Sequence, residues 1–186
     1  MTDAIIDLIA DMFERRGAEA YAGEALTVAE HMVQTATLAQ AEGASDTLVA
    51  AALLHDIGHF TGEFGEYTPA DTEDKHHDVA GARLLETFFP PAVTECVRLH
   101  VAAKRYLCAT DATYYDRLSP ASRHSLALQG GPMNDTEVAA FRRLAFYQDA
   151  VRLRRWDDCG KMVGLNTMEF DAFRPLLKRV RQDVLF

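Results

Sequence analysis

A chain of 186 residues with 48% hydrophobic and 25% charged side chains can bury one full core, which favours a single domain and excludes a disordered chain. The formal net charge of −9, with a pI near 5.2, repels a phosphate backbone, so nucleic acid is not an expected partner; a local basic pocket near Lys104, Arg105 or residues 152–155 remains open. Cys96, Cys108 and Cys159 are odd in number and lack C-x-x-C spacing, which argues against a disulfide framework or zinc knuckle and fits a reducing compartment.

Asp3 and Asp7 stand where a signal peptide would be basic, and no apolar run approaches the length of a membrane span, so a soluble cytoplasmic protein without a membrane partner is expected. Helical periodicity then dominates. Ile5, Ile6, Ile9, Met12 and Phe13 recur at helix spacing up to Gly17. A short loop over 18–25 contains Tyr21, Gly23 and Glu24. A second helix is expected over about 27–42, closed by Gly43. Ser45 can cap a third that carries Leu48, Ala51, Leu53, Leu54 and His55 and ends near Gly58.

Residues 60–76 hold glycines, Pro69 and many acids, and a stretch this long without periodicity points to a functional loop. A fourth helix is expected over 77–88. Pro90-Pro91 ends it and opens a fifth, with Pro91 in the first turn, running to about Tyr106. Ser119-Pro120 starts another that stops at Gly130-Gly131-Pro132. Asn134, with Glu137 three residues on, reads as the capping box of a helix reaching Trp156. A last helix covers about 168–184. Without alternating strands or repeats, the expected fold is an all-α, single-domain helical bundle over residues 1–186.

The chemistry lies in the histidines. His55-Asp56, at the end of an apolar helix, is a weak signal alone, because histidine is favoured at helix C-termini anyway. Six of the seven histidines, however, fall between His31 and His100, and three or four of them lie on separate predicted helices. Buried imidazoles each need a polar partner, and a shared metal would supply one for His31, His55, His77 and His100 together. Imidazole with carboxylate suits Zn, Fe, Mn or Co. A further carboxylate is wanted, and Asp157 and Asp158 are both candidates.

His31, then His55-Asp56, then a distant Asp157 resembles the H…HD…D pattern of the HD-domain superfamily, most of whose members are phosphohydrolases. The added His77 and His100 resemble its bimetallic branch. By that resemblance Asp56 bridges two metals, His31, His55 and Asp157 hold one, and His77 and His100 hold the other; the match at Trp156-Asp157 favours Asp157 over Asp158.

The likeness extends, over about residues 17–165, to the mixed-valent diiron oxygenases that cleave hydroxyalkylphosphonates, and more distantly to myo-inositol oxygenase. It rests on Tyr21-Ala22-Gly23-Glu24 ahead of His31, on Lys104 four residues after His100, and on the segment from Leu118 through Ser122, Ser125 and Gln129 to Met133. It implies Tyr21 and Glu24 as residues that attend the resting site and respond to substrate. It also implies a phosphonate subsite of Lys104, Ser122, Ser125 and Gln129, an Fe(II)/Fe(III) pair as cofactor, and O2 as co-substrate. The implied reaction cleaves 1-hydroxy-2-(amino or trimethylammonio)ethylphosphonate to phosphate and glycine or glycine betaine.

The residues read consistently on their own terms. Lys104, one turn beyond His100, brings positive charge to the same helix face. His59, one turn after His55, suits a supporting or substrate-contacting place. Tyr21 and Glu24 suit an ammonium group, through cation–π attraction or charge pairing. The rival reading is an HD phosphohydrolase acting on a nucleotide or phosphate ester, which the same ligands would serve. A third is a non-catalytic helical scaffold, which an intact ligand set disfavours.

Overall fold

The apolar spacing of the sequence resolves into helices throughout the residues described by this computed structural model, 3–21, 24–62 and 71–182. α1 (Ala4–Arg16) buries Ile5, Ile6, Ile9 and Phe13 on one stripe. α2 (Val28–Ala41) opens with a capping box, Thr27 Oγ1 accepting from the Glu30 N–H and Glu30 Oε2 accepting from the Thr27 N–H. α3 (Asp46–Leu54), capped by Ser45, is buried from Leu48 to Leu54 without a polar face, so it can only be central. A 3-10 turn over Ile57–Phe60 leads away from it.

α4 (His77–Leu85) is followed by α5 (Pro91–Thr110), the longest helix. α6 (Tyr114–Arg117), α7 (Pro120–Leu128), α8 (Asp135–Phe141), α9 (Tyr147–Cys159), a second 3-10 turn (Phe170–Phe173) and α10 (Arg174–Val180) complete the order. Among the described residues the only strand-like feature is an isolated bridge between Ala20 and Thr27. No helix there is long and apolar enough to cross a membrane.

α5 lies along α9, α4 and α3, and α2 closes over α3 and α9. One apolar core runs through this stack, from Ile6 and Ile9 of α1 through Leu53 and Leu54 to Leu177 of α10. The terminal helices, outside the 17–165 span of the family likeness, therefore join the same core. Leu107, Tyr114, Leu118 and Leu126 form a smaller cluster that seats α6 and α7 against α5.

Four expectations are corrected. The third helix ends at Leu54 rather than near Gly58, because the chain turns there to pack on α4: a Cβ at Gly58 would stand 1.8 Å from the His77 carbonyl oxygen. The helix expected from Asn134 to Trp156 is two, broken over 142–146. On one continuous helix Phe141 and Phe146 would point roughly 140° apart, and the break lets both face inward, Phe141 against Ala103 and Ala150 and Phe146 against the main core. The last helix starts at Arg174, since Pro175 lacks an N–H and belongs in a first turn. α6 was not anticipated, being a single turn with no room for periodicity. Residues 22–23, 63–70 and 183–184, parts of the two expected loops and the last helix, lie outside the described residues.

Candidate active site

Each expected metal ligand is delivered by a different structural device. His31 projects from the middle of α2, His55 caps the C-terminus of α3, and Asp56 follows it directly. His77 is the first residue of α4, His100 lies within α5, and Asp157 in the last turn of α9. His31, His55, Asp56, His100 and Asp157 are each at most 1% exposed.

Three of these imidazoles are aimed by the backbone. His31 Nδ1 lies 2.8 Å from the Gly160 carbonyl, His55 Nδ1 2.9 Å from that of Ala52, and His100 Nδ1 2.7 Å from that of Val97. A carbonyl oxygen only accepts, so each Nδ1 carries a hydrogen, and in the neutral form that a metal binds each ring turns an Nε2 lone pair inward. His31 Nε2 then faces His55 Nε2 at 3.1 Å, and His77 Nε2 faces His100 Nε2 at 3.1 Å. Opposed lone pairs at that distance repel unless a cation lies beside them.

Asp56 stands between the two pairs. Its Oδ2 is 3.6 Å from His31 Nε2 and 3.3 Å from His55 Nε2, while its Oδ1 is 3.4 Å from both His77 Nε2 and His100 Nε2. Asp157 Oδ1 is 3.3 Å from His31 Nε2. Both Asp56 oxygens and Asp157 Oδ1 are buried with no hydrogen-bond donor among the described residues. Orphaned carboxylate oxygens surrounded by inward lone pairs fit divalent cations: ligands about 2.1 Å from one ion, at a right angle, stand about 3 Å apart. The set divides into two nests sharing Asp56. His31, His55 and Asp157 form one; Asp56, His59 and His77 have ligand atoms within 4.8 Å of one another in the second, with His100 alongside.

Burial opposes the charge on Asp56, but His55, His100 and His77 hold its carboxyl well below the usual range. Burial likewise opposes charge on Asp157, where the Arg154 guanidinium is the main counterweight. Arg154 Nη1 reaches Asp157 Oδ2 at 2.7 Å, leaving Oδ1 toward the nest. Asp158 points elsewhere, accepting from Tyr114 Oη and pairing with Arg154. The neighbouring carboxylates thus separate, one toward the imidazoles and one bracing the arginine.

Over the Asp56 Oδ1 side opens a cavity of about 610 Å³, counting solvent at its mouth. Ser122 and Ser125 line one wall, Ser119 precedes them at the same three-residue spacing, and each of the three holds a charge. Ser119 Oγ donates to Glu24 Oε1 at 2.5 Å, Lys161 Nζ donates to Ser122 Oγ at 2.9 Å, and Lys104 Nζ donates to Ser125 Oγ at 2.7 Å. Burial, with Arg154 nearby, pushes the Lys104 ammonium down to about 7. Gln129 also lines the cavity, its Oε1 buried without a partner among the described residues.

Tyr21 stacks on His31 with ring centroids 4.3 Å apart, and its phenol is pushed well up by burial and by Asp56 and Asp157. His59 stacks on His77 at 4.3 Å, and burial together with His77 drives it down to about 3, so its ring is uncharged. All thirteen residues singled out in the sequence border the ligand nests or this cavity, and Ser119, expected only as a helix start, mediates the link to Glu24.

Lys161 was not foreseen, and Arg154 only as part of the basic run 152–155. Arg154 had a signal, lying three and four residues before Asp157 and Asp158 on one helix face. Lys161 had none, since it follows the end of α9. It is positioned by its neighbours: the Gly160 carbonyl accepts from His31, and Gln34 bonds both the N–H and the carbonyl of Met162, at 2.9 and 2.8 Å.

Residues 28–125 match the HD domain family. A [1-hydroxy-2-(trimethylamino)ethyl]phosphonate dioxygenase (glycine-betaine-forming) of Leisingera caerulea is 50% identical over 176 residues, covering 95% of this chain and 90% of that protein. A hydroxymethylphosphonate dioxygenase of Gimesia maris is 45% identical over 156 residues, 83% of this chain and 78% of that protein.

Proposed function

This chain belongs to the HD-domain family, and from that premise we propose that it is an oxygenase that uses O2 to cleave the C–P bond of a 1-hydroxyalkylphosphonate. The substrate is 1-hydroxy-2-(amino or trimethylammonio)ethylphosphonate, and the products are phosphate and glycine or glycine betaine. Both relatives are named as phosphonate dioxygenases. The observation that carries the reading is the Asp56 carboxylate facing two imidazole pairs, beside a cavity whose wall bears buried Lys104.

In this reading His31, His55 and Asp157 would hold one iron of an Fe(II)/Fe(III) pair, His77 and His100 would hold the other with His59 in reach, and Asp56, common to both nests, would serve both. When bound, the pair supplies the electrons and the Lewis acidity with which O2 oxidises C1.

The remaining tasks fall to the chain. Lys104, Ser122, Ser125 and Gln129 take the phosphonate oxygens, and the buried Lys104 regains full charge when an anion arrives. His59, uncharged and 4.0 Å from Asp56 Oδ1, is placed to accept a hydrogen bond from the C1 hydroxyl at Nε2 and so orient it. Tyr21 remains protonated and covers His31, excluding water from that nest.

Phosphate release from iron-loaded protein, measured with and without O2, tests the reading. Release that requires O2 supports it. Release from a phosphate ester without O2 would replace it by the HD phosphohydrolase alternative.

A further inference from the structure

Lys161 is a charge in the cavity with no task in the phosphonate reading. Its side chain is 11% exposed, and its ammonium meets groups from three other places in the chain: Ser122 Oγ of α7 at 2.9 Å, Glu24 Oε1 at 3.5 Å and Asp157 Oδ1 of α9 at 3.9 Å, with the Tyr21 ring centroid 5.6 Å away. No helix holds it there, because α9 ends at Cys159. The main chain on either side of it is tied to α2 instead. The Gly160 carbonyl lies 2.8 Å from His31 Nδ1. One turn along α2, the Gln34 amide clamps Met162 at two points, donating from Nε2 to its carbonyl at 2.8 Å and accepting from its N–H at 2.9 Å. Gln34 is 3% exposed, so its amide would be costly to bury without these partners.

The consequence falls on the hydroxyl hydrogens of the wall. A serine hydroxyl has one hydrogen to give. Ser125 accepts from Lys104 and can give its own hydrogen to the Ser122 carbonyl, 3.2 Å away. Ser122 accepts from Lys161, and among the described residues its hydroxyl has no acceptor. With the ammonium occupying the oxygen, the Ser122 hydrogen is left for the cavity that this residue lines. Gln34 does not line that cavity, so anything it does there passes through residues 161 and 162.

We propose that Lys161 is a positioning residue of the phosphonate subsite: held by the Gln34 clamp, its ammonium occupies the Ser122 oxygen and so presents the Ser122 hydrogen to the substrate anion. The proposal rests on the phosphonate reading of the cavity. A residue buried in α2, remote from the substrate, thereby sets the affinity of the anion subsite.

The test is binding of hydroxymethylphosphonate, which has no cationic end, measured calorimetrically without O2 on the iron-loaded protein. Gln34→Leu and Gln34→Met remove the clamp at similar volume and keep the Lys161 charge. Each should raise Kd about tenfold, with iron content retained. In Ser122→Ala and Lys161→Met backgrounds the same changes should move Kd by no more than about twofold. Limited trypsin digestion reads the clamp without any ligand: the bond between Lys161 and Met162 should be cut about tenfold faster or more in both Gln34 variants, with cuts elsewhere unchanged. Unchanged Kd or unchanged cleavage in both variants, or an equal rise in Kd in the Ser122→Ala background, would overturn the assignment. So would iron lost in step with the rise in Kd, which would place the effect at His31. Wild type that binds the ligand yet releases no phosphate under O2 would sink the oxygenase reading, while the Kd comparison and the cleavage rates would still decide the role of Lys161.

Discussion

The ligand nests and the serine wall of the cavity are built by different means. In the nests, His31, His55 and His100 are each oriented by a main-chain carbonyl, and the groups are almost fully buried. On the wall, Glu24, Lys161 and Lys104 are oriented by serine hydroxyls, side chain to side chain. A carbonyl cannot be mutated away, whereas each hydroxyl can. The first region is thus fixed by the fold and the second by exchangeable residues, so loss of a nest residue should abolish the reaction and loss of a wall residue should retune it.

The sharpest break is Asp56→Ala, which removes the group common to both nests. It should lower activity by more than the 10–100-fold typical of an outer-sphere partner, with bound iron falling in parallel by metal analysis. Gly58→Ala asks whether the nests depend on main-chain packing. Its Cβ would collide with the His77 carbonyl, so it should cost at least about 1–3 kcal/mol by denaturant unfolding and weaken metal at the second nest.

Lys104→Met addresses the wall. KM for the phosphonate should rise about tenfold or more, with iron content retained. The charged form of Lys104 binds the anion and its ammonium titrates at about 7, so kcat/KM should fall as pH rises through that value. In Lys104→Arg, which stays charged, that limb should flatten. The smallest effect sharpens the contrast by touching neither region: Asn134→Ala removes the α8 cap and should cost about 1 kcal/mol in stability, leaving KM and iron content unchanged.

Much of this was legible in the sequence because it rests on helical periodicity and on residue types rare by chance. The helix ends at Gly17 and Gly43, and the Ser45 and Asn134 caps, follow from local chemistry alone. The histidines stood out because three or four of them sit on separate helices, where a buried imidazole needs a partner. What stayed hidden depends on tertiary geometry. Asp157 and Asp158 differ only in which side of α9 meets Arg154 and Tyr114. Lys161 gains its place from Gln34 and His31, far away in sequence. Asp74 reads as one acid among many in a polar stretch until the left-handed turn at His76 sets it on the cavity. The break after Phe141 is set by two aromatic rings finding separate clusters, which overrides the propensity of 142–146.

The spacing of Ser119, Ser122 and Ser125 gives the start of α7 the character of a ruler. Successive hydroxyls climb roughly 4.5 Å along the axis, and they sort an acid, then one lysine, then another, in fixed order. A one-residue insertion after Ser119 would rotate the later two by about 100°, so both lysines would lose their marks together while the Ser119–Glu24 bond survived. The placement of both lysines is therefore set by one helical register, which a single insertion would break for the two at once.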